Sequence, residues 1–431
     1  MFMGRRLRNQ SFFPQKGYVG GQGGRWACFL VLLVLSEIIL LLTMVQKSEA
    51  LPAFARKYKA DCAMCHYPVV PHLNSFGQQY RRAGYRTPGE FNQDQGFFNV
   101  NNMLAGRVLS QFVYEDKEGK VDRTEFRDPD ISLYYSGAIS RNFSAWIHAT
   151  ANNSTNVDFH GHIQAVWGKP DSFFSFRIGQ MHMLQQQGIG GFDSPVAIST
   201  TPINNVPLTS TGKPVSFTFN KRQKGIELAY VRGPGQLRLQ ITNGLNEDGS
   251  GTADSGDIDS DKDYLVAYDH ILDDIASGFT VFYYNGTTHG TVTGGFPPSA
   301  IDQEFNFWRT GVNASKIFHI PEFGFFELQG GYTRSHDNNP TGTPAGTDID
   351  GNAFYVESQQ YITGPEVTFY ERFSLIDPDL ARDNSTRKDY TIGVVTPLQT
   401  WLRVTAEYTF TDNDDTGLND HVGILELQIN Y

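Results

Sequence analysis

Trp401-Leu402-Arg403-Val404-Thr405-Ala406-Glu407-Tyr408-Thr409-Phe410 is the stretch on which the fold of this chain turns. Leu402, Val404, Ala406, Tyr408 and Phe410 share one face, and Arg403, Thr405, Glu407 and Thr409 share the other, the period of a strand whose two faces meet different surroundings. The end of the chain repeats the device, with Leu425, Leu427, Ile429 and Tyr431 alternating with Glu426, Gln428 and Asn430. Similar runs lie around Ser144 to Ala149, Gln236 to Asn243, Phe326 to Tyr332 and Thr391 to Val395, separated by intervals rich in Gly, Asn, Asp and Pro, as turns require. From residue 96 to 431 about 16 such segments of roughly ten residues can be counted, the length and number of a bacterial transmembrane barrel. The expected fold is therefore mainly β: a transmembrane antiparallel β-barrel of about 16 strands, preceded by a short α-helical segment that plugs it.

A soluble β-propeller or a β-helix also yields many short strands. Against both stand the absence of a fixed repeat, the recurrence of Tyr134, Tyr135, Trp146, Tyr283, Tyr284, Trp308 and Tyr408 near segment ends as in aromatic girdles, and an aromatic last residue. A barrel of this size encloses an aqueous lumen, with His148, Gln164 and Glu327 among the residues expected to line it. Gly188 to Pro214 is expected to fold over or into that lumen. Asn246 to Asp263, with its six aspartates, is read as a solvated outer loop, because the glycine and terminal glutamate of an EF-hand are not where a calcium loop needs them.

The 431 residues include 43 Gly and 20 Pro, with 13% aromatic and 19% charged residues and a net charge of −11. That balance argues against nucleic acid as a partner, since no basic surface is available to follow phosphates. Only one run, Trp26 to Met44, is long and apolar enough for a membrane helix, which excludes a polytopic helical transporter. It follows a flank carrying Arg5, Arg6, Arg8, Lys16 and Arg25 without an acid, the pattern of an export signal. Small residues at Ser48 and Ala50 place a cut before Leu51, so residues 1–50 are read as a signal peptide; an uncleaved anchor is the alternative. Its removal takes Cys28 with it and leaves 29 basic and 44 acidic residues.

The two remaining cysteines belong to one motif, Cys62-Ala63-Met64-Cys65-His66, within a segment taken as 51–95. C-x-x-C-H is the spacing that attaches one haem c: two thiols reach the vinyl groups along one porphyrin edge, and the adjacent histidine ligates the iron. A thioredoxin-like pair would need a βαβ context and a zinc site two more ligands, and neither is evident. Cys62, Cys65 and His66 are thus the expected cofactor-binding residues, His66 the proximal iron ligand. For the distal position His72 and Met103 are candidates, with Met181, His182 and Met183 grouped farther on; an open sixth position is the alternative.

With Leu51-Pro52-Ala53-Phe54-Ala55-Arg56, Cys62 to His66, Pro71-His72-Leu73, Phe76-Gly77 and Gly84-Tyr85, the chain resembles the fused monohaem cytochrome-porins, outer-membrane Fe(II)-oxidising cytochromes. The layout is similar too: export signal, short haem segment, one barrel to the end. The resemblance implies a bacterial outer-membrane protein that takes electrons from extracellular Fe(II) and passes them through its haem to a periplasmic cytochrome or other carrier, an Fe(II):cytochrome c oxidoreductase if it is an enzyme. Two alternatives stay open. One is outward electron transfer to external metals, and the other a diffusion porin with a structural or redox-sensing haem plug. The barrel itself implies outer-membrane lipid as its surroundings.

Overall fold

A computed structural model describes residues 53–67, 72–94, 103–151, 157–184, 187–193, 196–201, 219, 222–244, 261–294, 299–338, 348–399, 401–414 and 416–430. The expected signal peptide, Cys28, Leu51 and most of the aspartate-rich loop lie outside the described residues. The strands are β1 (Leu104–Lys117), β2 (Arg123–Phe126), β3 (Asp130–Ala138), β4 (Phe143–Ala151), β5 (Val157–Lys169), β6 (Ser172–His182), β7 (Arg222–Arg232), β8 (Gly235–Thr242) and β9 (Asp263–Ile271). They continue as β10 (Gly278–Gly294), β11 (Ser299–Ile320), β12 (Gly324–Asp337), β13 (Ile349–Ile362), β14 (Val367–Asp377), β15 (Arg387–Gln399), β16 (Leu402–Asn413) and β17 (Leu418–Asn430).

β1 pairs antiparallel with β2 and β3, from β3 onward each strand pairs antiparallel with the next, and β1 pairs with β17 from Arg107↔Asn430 to Lys117↔Asp420, which closes the sheet. β2 and β3 both pair with β1, one with each half, and are a single strand interrupted before Pro129. The result is a closed barrel of 16 strands.

The two-residue alternation of the sequence becomes an inside and an outside. In β9, Asp263, Leu265, Ala267, Asp269 and Ile271 are buried while Tyr264, Val266 and Tyr268 are exposed. Elsewhere Glu227 is 0% exposed and Leu228 50%; Gln164, Arg177 and Glu357 are buried beside outward Ile163, Ile178 and Val356. Large apolar side chains outside and charges inside invert the pattern of a water-soluble domain, and suit a barrel wrapped in hydrocarbon. The inner charges are paired: Arg238 with Asp269 at 2.8 Å, Arg309 with Asp337 at 3.0 Å, Arg372 with Glu357 at 3.1 Å. Leaving either partner alone at these depths would be strongly destabilising.

The girdle reading needs correction for several aromatics. Tyr283 and Tyr408 do face outward, but Tyr284 is buried, and Tyr134 and Trp146 sit on the inner face among imidazole rings. An aromatic near a strand end satisfies either face, so spacing alone did not separate the two.

One end of the barrel carries short turns, among them those between Lys169 and Ser172, Arg232 and Gly235, and Ile320 and Gly324; the first and last strand ends lie there as well. In outer-membrane barrels the short turns are periplasmic. Among the described residues, two pieces of chain enter the interior. The first is the described part of the connection from β6 to β7, residues 183–184, 187–193 and 196–201, which bonds to several strands of the wall. Arg238 donates to the Met183 carbonyl at 2.9 Å, Ile189 N–H to Thr280 at 3.0 Å, Gly191 N–H to Tyr355 at 3.1 Å, and Ile198 N–H to Glu407 at 2.9 Å. Its Met183, Leu184 and Phe192 form an apolar cluster with Leu265, Phe282, Tyr284 and Phe307. The second piece is the N-terminal segment.

Candidate cofactor site

The N-terminal segment holds two short helices, α1 (Ala53–Tyr58) and α2 (Ser75–Arg82), and between them a 3₁₀ turn, Cys62–Met64. Asp61 caps the turn by accepting from the Ala63 N–H at 2.9 Å, and the His66 N–H donates to the Cys62 carbonyl at 2.9 Å. Asn74 then joins turn and helix. Its Oδ1 accepts from the Gly77 N–H at 2.9 Å and so caps α2, while its Nδ2 donates to the Ala63 and Met64 carbonyls, both at 3.1 Å. α2 approaches the motif so closely that a Cβ on Gly77 would lie 2.2 Å from the Cys65 carbonyl oxygen. At the helix end Gly84, φ +66°, takes the left-handed conformation natural to glycine and passes against Ser144 of the wall.

His66 Nδ1 lies 3.1 Å from the His72 carbonyl oxygen. A carbonyl only accepts, so Nδ1 carries the proton and Nε2 keeps its lone pair, the tautomer of a metal-ligating histidine with its outer hydrogen bond in place. Burial, followed by the neighbouring Cys62, pushes the Cys65 thiol up to about 11; burial and then Asp61 push Cys62 up as well.

Cys65 and His66 open onto a cavity of about 240 Å³, lined from the plug by Phe54, Tyr80, Arg81 and Tyr85 and from the barrel by Ser136, Trp146, His162, Arg177, Met181 and His182. The plug is fastened around it. Asp193, on the inward connection, accepts from the Leu73 N–H at 3.1 Å, Gln78 at 2.9 Å and Arg81 at 3.1 Å. Gln79 and Arg82 donate to the Gly233 and Pro234 carbonyls, and Arg86 to those of Ser140 and Phe143, all in short turns, which places the cavity toward the periplasmic mouth.

The structure also locates the sequence candidates. Neither His72 nor Met103 lines the cavity. His72 supplies its carbonyl to His66, while its ring is buried 3.7 Å from a Glu327 carboxylate oxygen. Met103 packs on Gly137 and accepts from the Tyr135 hydroxyl at 3.3 Å, positions that alternate with cavity-lining Ser136 and so belong to the other face of β3. Of the later group, Met181 and His182 line the cavity and Met183 joins the apolar cluster instead. Gln164 and Glu327 face inward as expected, yet they touch the plug, Gln164 donating to the Arg82 carbonyl at 2.8 Å, where open water was expected. His162 and Arg177 went unassigned from sequence and Trp146 was read as girdle, since nothing local marks which inward residues of three strands meet a segment about 100 residues away.

The donor set suits a haem c. The Cys65 thiol, with Cys62 three positions before it in the same turn, an imidazole of the correct tautomer, aromatic walls and two guanidiniums meet at one cavity. A buried imidazole nitrogen, His162 Nδ1, lacks a hydrogen-bond partner there.

No protein-family model and no curated protein matches the sequence. Among solved structures, the chain is similar to an anion-selective porin from Comamonas acidovorans, with 12% identity and a TM-score of 0.54 over 76% of this chain and 98% of that one. It is also similar to OprB from Pseudomonas putida, with 10% identity and a TM-score of 0.54 over 76% of this chain and 94% of the other. At these identities the likeness is one of fold. Closed barrel, outward apolar surface and this likeness together define a porin-type β-barrel of the bacterial outer membrane.

Proposed function

We propose that this chain is an outer-membrane monohaem cytochrome fused to a porin-type barrel, which takes electrons from extracellular Fe(II) and delivers them to a periplasmic electron carrier. The observation that supports it best is His66, its Nδ1 bonded to a backbone carbonyl, on a C-x-x-C-H turn that opens into a cavity shared with the barrel wall. A haem c held by Cys62, Cys65 and His66 would supply a one-electron centre at that place. Phe54, Tyr80, Tyr85 and Trp146 would pack against it, and Arg81 and Arg177, paired with Asp193 and Glu227, also line the cavity. The barrel contributes access. A hydrocarbon band of about 25 Å separates two aqueous compartments, and a lumen lets a soluble donor and a soluble acceptor approach one centre from opposite mouths.

The test is haem staining on denaturing gels for wild type, Cys62→Ala and Cys65→Ala, followed by addition of Fe(II) to the oxidised protein. Covalent stain in the wild type, its weakening in each single variant, and prompt reduction by Fe(II) are expected. Reduction by dithionite but not by Fe(II) would remove Fe(II) as donor.

The second reading, solute diffusion past a haem plug, is favoured by the likeness to porins, one of them anion-selective. Liposome swelling separates the two: a diffusion porin passes small sugars, whereas a plugged conduit admits few.

A further inference from the structure

Resting on the haem reading of Cys62 to His66, we propose that His162, projecting from β5, is the second axial ligand, so that the barrel wall itself completes the site begun by the plug. His162 lines the cavity with His66 and is only 8% exposed. Among the described residues its Nδ1 is buried without a hydrogen-bond partner. An imidazole in that condition is costly, because a buried polar group without a partner forfeits its hydration. A metal bond at Nε2 would leave Nδ1 as it is, so the case for ligation rests on the ring's place in the cavity beside His66 and on the strands that hold it.

The surroundings hold the ring in place. Trp146, directly across the β4–β5 ladder, packs along it with centroids 5.8 Å apart and planes 26° apart. On the other side His162 faces Gly179 of β6, whose φ of +142° is a conformation that side chains rarely adopt; a Cβ there would sit 2.7 Å from the His162 Cα. Gly161 precedes it, and a Cβ on Gly161 would sit 2.4 Å from the Trp146 carbonyl oxygen. Glycine on both sides brings the three strands together around one imidazole. The other cavity-lining candidates are placed differently. The His182 ring lies against His160, centroids 6.1 Å apart, opposite Arg222 in the ladder, and Met181 is fully packed at 1% exposure. His72 and Met103 do not line the cavity.

Ligation from the wall has a structural consequence. The N-terminal segment would be stapled to β5 by a metal–ligand bond in addition to the Asp193 clamp.

The experiment uses the holoprotein purified in detergent, checked for covalent haem by staining and for an intact barrel by heat-modifiable migration. Ferric wild type should be low-spin by optical absorption and EPR. His162→Ala should retain covalent haem, become high-spin, and return to low-spin on adding imidazole. His162→Met should stay low-spin with an upward shift in midpoint potential, as expected for a Met/His pair, which covers the case in which the alanine variant does not fold. His182→Ala and Met181→Ala should remain like wild type. A low-spin His162→Ala spectrum, a high-spin wild type, or loss of low-spin character in His182→Ala or Met181→Ala alone would overturn the assignment while leaving the haem reading intact. Wild type without covalent haem would instead overturn the haem reading, and the ligand with it.

Discussion

At the scale of single residues, the motif shows how surroundings set reactivity. With its thiol raised to about 11 by burial and by Cys62, Cys65 of a haem-free folded protein exposes little thiolate at pH 8. Alkylation follows the thiolate. Labelling of the haem-free protein by iodoacetamide should therefore be slow at pH 8 and rise about tenfold per pH unit until the pH nears 11, whereas a free cysteine levels off near its pKa of about 8.5. Mass spectrometry of the labelled peptide reads this out, and a rate already level at pH 9 would contradict it. Glu90 offers a second case. Burial alone would raise its pKa, but hydrogen bonds from Lys57, the Thr87 N–H and Tyr58 hold it below the ordinary carboxylate value. A depressed acid stabilises the folded form fully above its unfolded pKa of about 4.3, and the contribution is lost as pH falls through the lower folded value. Glu90→Gln should therefore speed proteolysis of the N-terminal segment at pH 7, by an amount near 1 kcal/mol, with the gap from wild type closing in strong acid.

At the scale of elements, Asn74 and Gly77 make the cysteine turn and α2 one unit. Asn74→Ala removes a helix cap and both donors to the turn, and should loosen the unit by about 1–2 kcal/mol. Gly77→Ala places a methyl where the Cys65 carbonyl already is, and overpacking of this kind costs about 1–3 kcal/mol. Faster protease cleavage between residues 53 and 94, with unchanged heat-modifiable migration of the barrel, is the expected signature of both. If Gly77→Ala were as resistant as wild type, the close approach of α2 to the motif would be wrong.

At the scale of the whole molecule, the barrel depends on lipid outside and on paired charge and inserted chain inside. Asp193 is where the two insertions meet: it belongs to the connection from β6 and receives three donors from the N-terminal segment. Replacing it by alanine strands Arg81 in a largely buried position, and should release the segment. Planar-bilayer recordings should then show Asp193→Ala with a several-fold larger single-channel conductance than wild type. Equal conductance would mean that the segment does not obstruct ions. On the outer face, Leu228→Arg should reduce folded barrel in lipid vesicles, since a cation facing mid-bilayer costs about 2–4 kcal/mol.

The alternation in Trp401 to Phe410 was enough to specify strands, and the same period repeated along the chain was enough for a barrel of this size, because a side-chain period of two is a local property and needs no partner to be seen. Cys62, Cys65 and His66 were legible for a similar reason: attachment chemistry requires those residues within five positions of one another. What surrounds them was not legible. Tyr134 and Trp146 read as membrane girdle and lie inside, and of the ligand candidates the cavity took Met181 and His182 but neither His72 nor Met103, adding His162 and Arg177, which the sequence had not singled out. Closure of the sheet and insertion of the N-terminal segment decide those neighbours. They are long-range events, and no spacing along the chain encodes which inward-facing residue of one strand will meet the plug.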